Sequence, residues 1–458
     1  MGADRHRAYQ DVIDDALGNS RATETPKAVI LGGQPGSGKS VLAQTAVREF
    51  REAGGSILID ADRMREVNRD YKRLSIDDPL NAADRTHAEA SQWSVRLTQQ
   101  AIEGKRNLVV DGTMRDPANI RNLTERLQHN GYRVEARVMA VNPEVSLARA
   151  QLRFEQQVEV RGYGRHVNAE QHDAAFKGLG AAVAALERGS MVDSVRVYSA
   201  NHAVIYQNAQ ERGQWQQPPE ASRALEAERT RPHLYLERKE YIETLQEIAA
   251  LARQRTGEPA RAIETKLDDA RNDLAKFEQS PAHQRAKAFD RLTQTDALAR
   301  HPELDASYKQ LQQVKQAWGT ETTQDQRERG YFEAKTALSN QLRAGAVPQA
   351  HVSLDESRRV IVLAAGHRGV MVREAQEVKQ DFKGEVVAVS SQHVLLKVSD
   401  MVAISYQKSR LDREPAVGES VAIQHGDPKS QVHEPDKMPI RTLAKDQERE
   451  FGPGVRDR

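Results

Sequence analysis

Cysteine is missing from the 458-residue chain. That absence excludes disulfides, thiolate zinc sites and cysteine nucleophiles. Aromatic residues are scarce, at 5%, and no Arg–aromatic platform of the kind that stacks nucleic-acid bases stands out. Net charge is almost absent too, at +1 from 67 Lys and Arg against 66 Asp and Glu. No bulk field therefore draws the chain to nucleic acid or to an anionic membrane. Apolar runs such as Ala28–Leu31 and Val360–Ala365 are far too short to span a bilayer. The opening MGADRHRAYQDVIDDALG has no apolar stretch of the secretory-signal type. A non-membrane, cytoplasmic protein is expected.

What is present divides into regions of different texture, as the length leads one to expect of several domains. In residues 1–214, short β-branched runs (Ala28–Leu31, Ser56–Ile59, Asn107–Val110, Val134–Val141) alternate with helix-length stretches (Lys39–Ala53, Ala82–Glu103, Pro117–Asn130, Pro143–Gln157). That alternation predicts an α/β fold, a parallel sheet with helices on both faces. Val195–Ala200 and His202–Gln207 read as two further strands. Residues 215–348 are rich in Gln, Glu, Arg, Lys and Ala, with prolines dividing helical periodicities, and predict a helical region or linker. Residues 349–428 turn to β texture, with Glu385–Val389, His393–Val398, Val402–Tyr406 and Ser420–Gln424 separated by polar turns. They predict a small antiparallel sheet or barrel. Residues 429–458, with three prolines just after Pro428, read as a disordered tail.

The sharpest motif is Gly33-Gln34-Pro35-Gly36-Ser37-Gly38-Lys39-Ser40, which satisfies G-x-x-x-x-G-K-[ST] between a strand and a helix. Glycines let backbone N–H groups turn toward phosphates, and a helix N-terminus adds partial positive charge. Lys39 is placed to reach the β- and γ-phosphates of ATP and Ser40 to bind Mg2+. The motif sets nucleotide binding and leaves the reaction open.

The second strand runs into Asp60-Ala61-Asp62, expected to be the strand-end beside the phosphate loop. One carboxylate can orient and the other accept the proton of an attacking hydroxyl, or either can cap the following helix. The third strand ends in Asp111-Gly112-Thr113-Met114-Arg115. Asp111 suits an acid that holds magnesium through water, or one that touches the substrate. Arg153, and Arg165 in a glycine-bearing loop, are candidate clamps for charge on a transferred phosphoryl group, against the alternative of solvated surface arginines.

In order and spacing, residues 8–210 resemble the zeta toxin family of toxin–antitoxin kinases: GGQPGSGKS, LIDADRMRE, VVDGTMR, VMAVNPEVSLARA and RHVNAEQHDAAF match its successive blocks. The resemblance implies ATP and Mg2+ as cofactors, Asp62 as catalytic base, Lys39 and Ser40 on phosphates and metal, and Asp111, Thr113 and Arg115 near acceptor and transferred group. Arg153 and Arg165 would face the γ-phosphate. It also implies the 3′-hydroxyl of UDP-N-acetylglucosamine as acceptor, and an antitoxin protein covering the nucleotide site. The helix Tyr9–Leu17 or the middle helices are candidates for such a cover in cis. Two departures stand out: Asp111 where Glu is common, and no clear counterpart of a substrate-side Glu, Glu89 being off in spacing. The C-terminal YQKSRLDREPAVGESVAIQHGD is similar to the KfrB domain of plasmid-borne proteins, which implies a mobile-element setting and a protein-binding or packing module. The alternatives are a P-loop ATPase or nucleotide-regulated binding protein, and a kinase for another nucleotide such as a nicotinamide dinucleotide.

Overall fold

Apolar residues without alternation make strands covered on both faces, and Lys27–Gly32 (β1) is buried at every position after Lys27. The structure, a computed structural model, describes residues 3–436 apart from 80, 318–322, 349 and 427. The chain divides into two units, Met1–Asn272 and Asp273–Arg458. In the first, Ala3–Gly18 (α1) precedes β1. Then follow Lys39–Glu49 (α2), Ile57–Asp60 (β2), Ala61–Val67 (α3), Arg69–Asp77 (α4), Ala82–Arg85 (α5), His87–Glu103 (α6) and Leu108–Asp111 (β3). Pro117–His129 (α7), Arg133–Met139 (β4), Pro143–Arg161 (α8), Ala169–Arg188 (α9), Ser194–Tyr198 (β5), Val204–Glu211 (β6) and Gln214–Trp215 (β7) complete the sheet and its cover.

The strands form one sheet in the order β2-β3-β1-β4-β5-β6-β7. It is parallel from β2 to β5, with β6 and β7 added antiparallel. The two-residue period sends alternate side chains of β1 to opposite layers. Ala28 and Ile30 join a core with Trp93, Leu97, Val134 and Leu179. Val29 and Leu31 join another with Leu42, Ala46 and Phe50 of the α2 side. The N-terminal helix belongs to the first of these layers: Tyr9 and Ile13 are fully buried, and Tyr9 stacks on Trp93 at 4.8 Å.

The unit continues past residue 214. Ala221–Thr230 (α10) and Tyr235–Thr256 (α11), read from sequence as the opening of the helical region, both lie within it. Ala221 and Leu225 are fully buried in the same core as the sheet. Glu187, near the end of α9, ties the edge strands to α10. Its buried carboxylate accepts from the Tyr206 hydroxyl (2.6 Å), the Asn208 amide (2.9 Å) and the Ala221 N–H (2.7 Å). Its main-chain carbonyl accepts from the Trp215 indole at 2.8 Å. A buried carboxylate is tolerated when its lone pairs are met in this way.

The second unit takes over within Arg261–Gln279 (α12). Pro281–Arg291 (α13), Gln294–Arg300 (α14), Asp305–Gln316 (α15) and Gln324–Arg343 (α16) bury Phe289, Leu304, Leu311, Leu338 and Leu342 in a helical core. Leu354–His367 (α17) falls in the stretch read as the start of the β region. The capping box of Ser353 with Glu356 opens this helix. Then come Met371–Glu374 (β8), Ala375–Val378 (α18), Phe382–Val389 (β9), His393–Lys397 (β10), Val402–Gln407 (β11), Ser420–Gln424 (β12) and Gln431–His433 (β13). The sheet order is β13-β12-β9-β10-β11-β8, antiparallel except for the parallel β11–β8 pair. Strand β13 lies inside the segment assigned to the tail: Ala422, Ile423 and Gln424 give it a ladder to pair with. The rest of that tail, residues 437–458, lies outside the described residues. Among the described residues no helix is long and apolar enough to cross a membrane.

Candidate functional site

The phosphate-type loop leaves β1 and wraps onto the start of α2. Gly38 is the N-cap of α2 with φ 91° and Gly36 has φ 77°, a region that glycine alone enters at little cost. Gly36 also faces the first turns of α8 so closely that a Cβ there would stand 1.9 Å from the Ser146 carbonyl oxygen and 2.8 Å from the Ala150 nitrogen. Both obstacles are backbone and cannot rotate away. Gly36→Ala is therefore expected to cost about 1–3 kcal/mol of stability through overpacking and to weaken ATP binding. Thermal melting and calorimetric titration measure the two, and unchanged values of both would contradict this packing.

Gln34 is fully buried and pins the loop from below. Its amide donates to the Val141 carbonyl (2.8 Å) and to Ser146 Oγ (3.0 Å), and Ser146 Oγ lies 2.8 Å from His172 Nε2 at the start of α9. The Lys39 ammonium donates to the carbonyls of Gly33 (2.6 Å) and Gln34 (3.1 Å).

Sheet order decides which acids face this loop. Strand β3 lies between β1 and β2, so the expectation that Asp60 and Asp62 follow the neighbouring strand is corrected. The neighbour is Asp111, paired in register with Leu31 on one side and Asp60 on the other. Burial raises the Asp111 carboxyl above its ordinary value, opposed mainly by Lys39. Burial likewise pulls Lys39 down to about 8, with Asp111 opposing and Arg153 and Arg165 adding to the fall. Phosphates bind the charged ammonium. Above pH about 8 the free protein loses that proton and must regain it to bind, so ATP affinity should fall about tenfold per pH unit. Titrations from pH 7 to 9.5 test the sign, and a flat profile would contradict it.

The two aspartates after β2 divide the labour that the sequence left open. Asp60 is the N-cap of α3, its carboxylate accepting from the Asp62 N–H at 2.8 Å. Asp62, one turn in, has 39% of its side chain exposed and receives both Arg65 and Arg165. Arg65 is almost fully buried and its other nitrogen lies 3.2 Å from His87 Nδ1. Burial first, then Arg65 and Arg115, hold the His87 ring below its usual pKa. Helix α8 reaches Arg161 because Gly162, at φ 76°, supplies its left-handed C-cap. The following loop returns over α8, with Arg165 N–H on Gln157 Oε1 at 2.9 Å.

These groups meet in one cavity of about 640 Å³. Pro35, Gly36, Gly38, Lys39, Ser40, Asp62, Asp111, Thr113, Arg153 and Arg165 all line it. Gly33, Gln34 and Ser37 are buried behind the loop, and Arg115, exposed on the strand-to-helix connection, is not among the lining residues. Glu89 pairs with Asn68, the N-cap of α4, at 2.5 Å and is not among the lining residues. The sequence reading missed Arg65, Tyr71, His87, Arg149, Arg161 and Tyr163 of the lining. Arg149, Arg153 and Arg161 recur at multiples of four along α8, a spacing that puts them on one face and that could have been read in advance. Nothing of α1 lines the cavity.

Residues 10–211 match the zeta toxin family model. The KfrB domain model matches residues 381–434. Among curated relatives, the zeta toxin-like part is 24% identical over 187 residues to the toxin PezT of Streptococcus pneumoniae, covering 41% of this chain and 73% of that one. It is 27% identical over 201 residues to the toxin zeta of Enterococcus hirae, covering 43% and 68%. A solved structure of the Streptococcus pneumoniae PezAT toxin–antitoxin system superposes with a TM-score of 0.46 and 20% identity, over 55% of this chain and 97% of that chain. The zeta toxin-like match holds every lining residue of the cavity, while α10 and α11 fall outside it.

Proposed function

We propose that the first unit is an ATP-dependent kinase that transfers the γ-phosphoryl group to a hydroxyl of a nucleotide sugar, the 3′-hydroxyl of UDP-N-acetylglucosamine, and acts as the toxin of a toxin–antitoxin or mobile-element system. One observation carries the reading: the phosphate loop, a half-exposed carboxylate and two half-buried arginines share a single cavity. Loop amides and Lys39 take the β- and γ-phosphates, as in other phosphate loops. Asp62 accepts the acceptor proton as its oxygen attacks phosphorus. The bond from the γ-phosphorus to the bridging oxygen breaks, and ADP leaves. Arg153 and Arg165 balance charge on the transferred group. Ser40 and the half-buried Asp111 are hard oxygen donors beside the phosphate loop. They fit Mg2+, which binds few protein oxygens and keeps waters and phosphate as further ligands. Magnesium would supply charge neutralisation of the phosphates there. Thr113 lines the cavity and would contact the acceptor, while Arg115 lies outside the lining. The relatives' names as toxins, and the PezAT toxin–antitoxin pair, support an antitoxin as partner in trans.

Mass spectrometry of a reaction with full-length protein, ATP, Mg2+ and UDP-N-acetylglucosamine tests this. A product heavier by one phosphoryl group supports both kinase and acceptor. ATP consumed only when a metabolite extract replaces the sugar nucleotide keeps the kinase and moves the acceptor to another nucleotide. ADP formed with no phosphorylated acceptor makes the protein an ATPase.

A further inference from the structure

The arginine helix is braced by a residue beyond the region that matches zeta toxins. Between Arg153 and the end of α8 sit Phe154 and Glu155. Glu155 has only 3% of its side chain exposed, an expensive place for a carboxylate without a partner. Its partner is Arg255, in the last turn of α11, which grips both oxygens at 2.7 and 2.8 Å. The same guanidinium lies 5.5 Å from the centre of the Phe154 ring, and the His166 ring packs edge-on against that ring at 5.4 Å. Gly164 closes the arrangement: a Cβ there would meet the Phe154 carbonyl at 2.7 Å. One turn of α8 thus touches Arg255 from α11 and the loop that carries Arg165. A second bond from Gln156 to Glu247, at 2.7 Å, fastens α11 to the same turn.

We propose that Arg255 is a positioning residue for the phosphate-facing arginines: by pairing with Glu155 it holds the helical turn that presents Arg153 and on which the Arg165 loop rests. Arg255 touches neither nucleotide nor acceptor. Bidentate guanidinium–carboxylate geometry fixes direction as well as distance, so a lysine replaces it only in part. The inference rests on the cavity being the ATP site, and it gives α11 a part in the chemistry of a neighbouring helix.

ATP and ADP, each with Mg2+, differ at the γ-phosphate that Arg153 and Arg165 face. Calorimetric titration of full-length protein with each nucleotide therefore reads their placement without any acceptor. Arg255→Ala is expected to weaken ATP about tenfold, since small misplacements of a charged clamp are costly, and to leave ADP within about twofold. Arg255→Lys should recover part of the ATP preference. If Arg255→Ala melts early, Arg255→Lys and Glu155→Gln, which each keep a hydrogen bond, are read on the same ATP-to-ADP ratio and should lower it by less. Equal weakening of both nucleotides, or an unchanged ratio in every variant, overturns the inference alone. A wild-type chain that binds neither nucleotide overturns the ATP reading and the inference with it.

Discussion

Asp62→Asn is expected to lower phosphoryl transfer by about 10²–10⁴-fold, the usual worth of a positioned general base, while ATP affinity stays within about threefold. The asparagine keeps the shape and one acceptor oxygen for Arg65 and Arg165, the two partners of Asp62. What it loses is the ability to take the acceptor proton. The helix itself should be unharmed, because its cap is Asp60 and not Asp62. Single-turnover kinetics with labelled ATP separate binding from transfer. Wild-type-like transfer in this variant would remove Asp62 from the role of base and move attention to Asp111, the carboxylate of the cavity on the strand next to the phosphate loop.

Arg165→Ala should cost still more in turnover, about 10³-fold or above, as loss of an arginine on a transferring phosphoryl group does elsewhere. Two features of the free protein set the expectation. The guanidinium is largely withdrawn from water, and burial lowers its pKa from the ordinary arginine value. It also holds the Asp62 carboxylate. Removing it therefore frees Asp62 at the same time as it strips the phosphoryl group of a counter-charge. The two effects are distinguishable: an Arg165→Ala, Asp62→Asn double variant should be no worse than the poorer single one if both act in one step, and multiplicatively worse if they act independently. Arg153→Ala should fall in the same range, with Arg153 half-buried and electrostatically coupled to Asp111. Turnover of Arg165→Ala within about fivefold of wild type would make this arginine a mere partner of Asp62.

The phosphate loop was legible because its chemistry is local: glycines at fixed spacing, then Lys39 and Ser40, between a buried strand and a helix. The alternating strand and helix pattern gave the sheet for the same reason. Strand order is not local. No feature of Ser56–Ile59 or Asn107–Val110 says which of them pairs with β1, and the reading that placed Asp60 beside the loop failed there. The division between Asp60 and Asp62 was equally hidden, since it depends on the extended backbone of Asp60 (φ −132°) and the helical one that follows. His87 and Tyr71 join the cavity from helices that only the tertiary fold brings near. Arg115 carried no geometric signal of its own, and its place followed from the resemblance alone. In the C-terminal part, α17 lay within the stretch read as β, although the Ser353–Glu356 capping box marks a helix start there. The short strand β13 was masked by the prolines around it.

The carboxylate of Glu187 shows that the family-model match and the folded unit end at different places along this chain. The zeta toxin match stops at residue 211, yet the groups that neutralise Glu187 include the N–H of Ala221, and its carbonyl depends on Trp215. A fragment cut at the edge of recognisable ancestry would bury an acid with part of its solvation removed and would expose the apolar side that Ala221 and Leu225 now close. The smallest piece of this unit that keeps Glu187 neutralised therefore runs past Ala221 and is longer than the piece the family model marks.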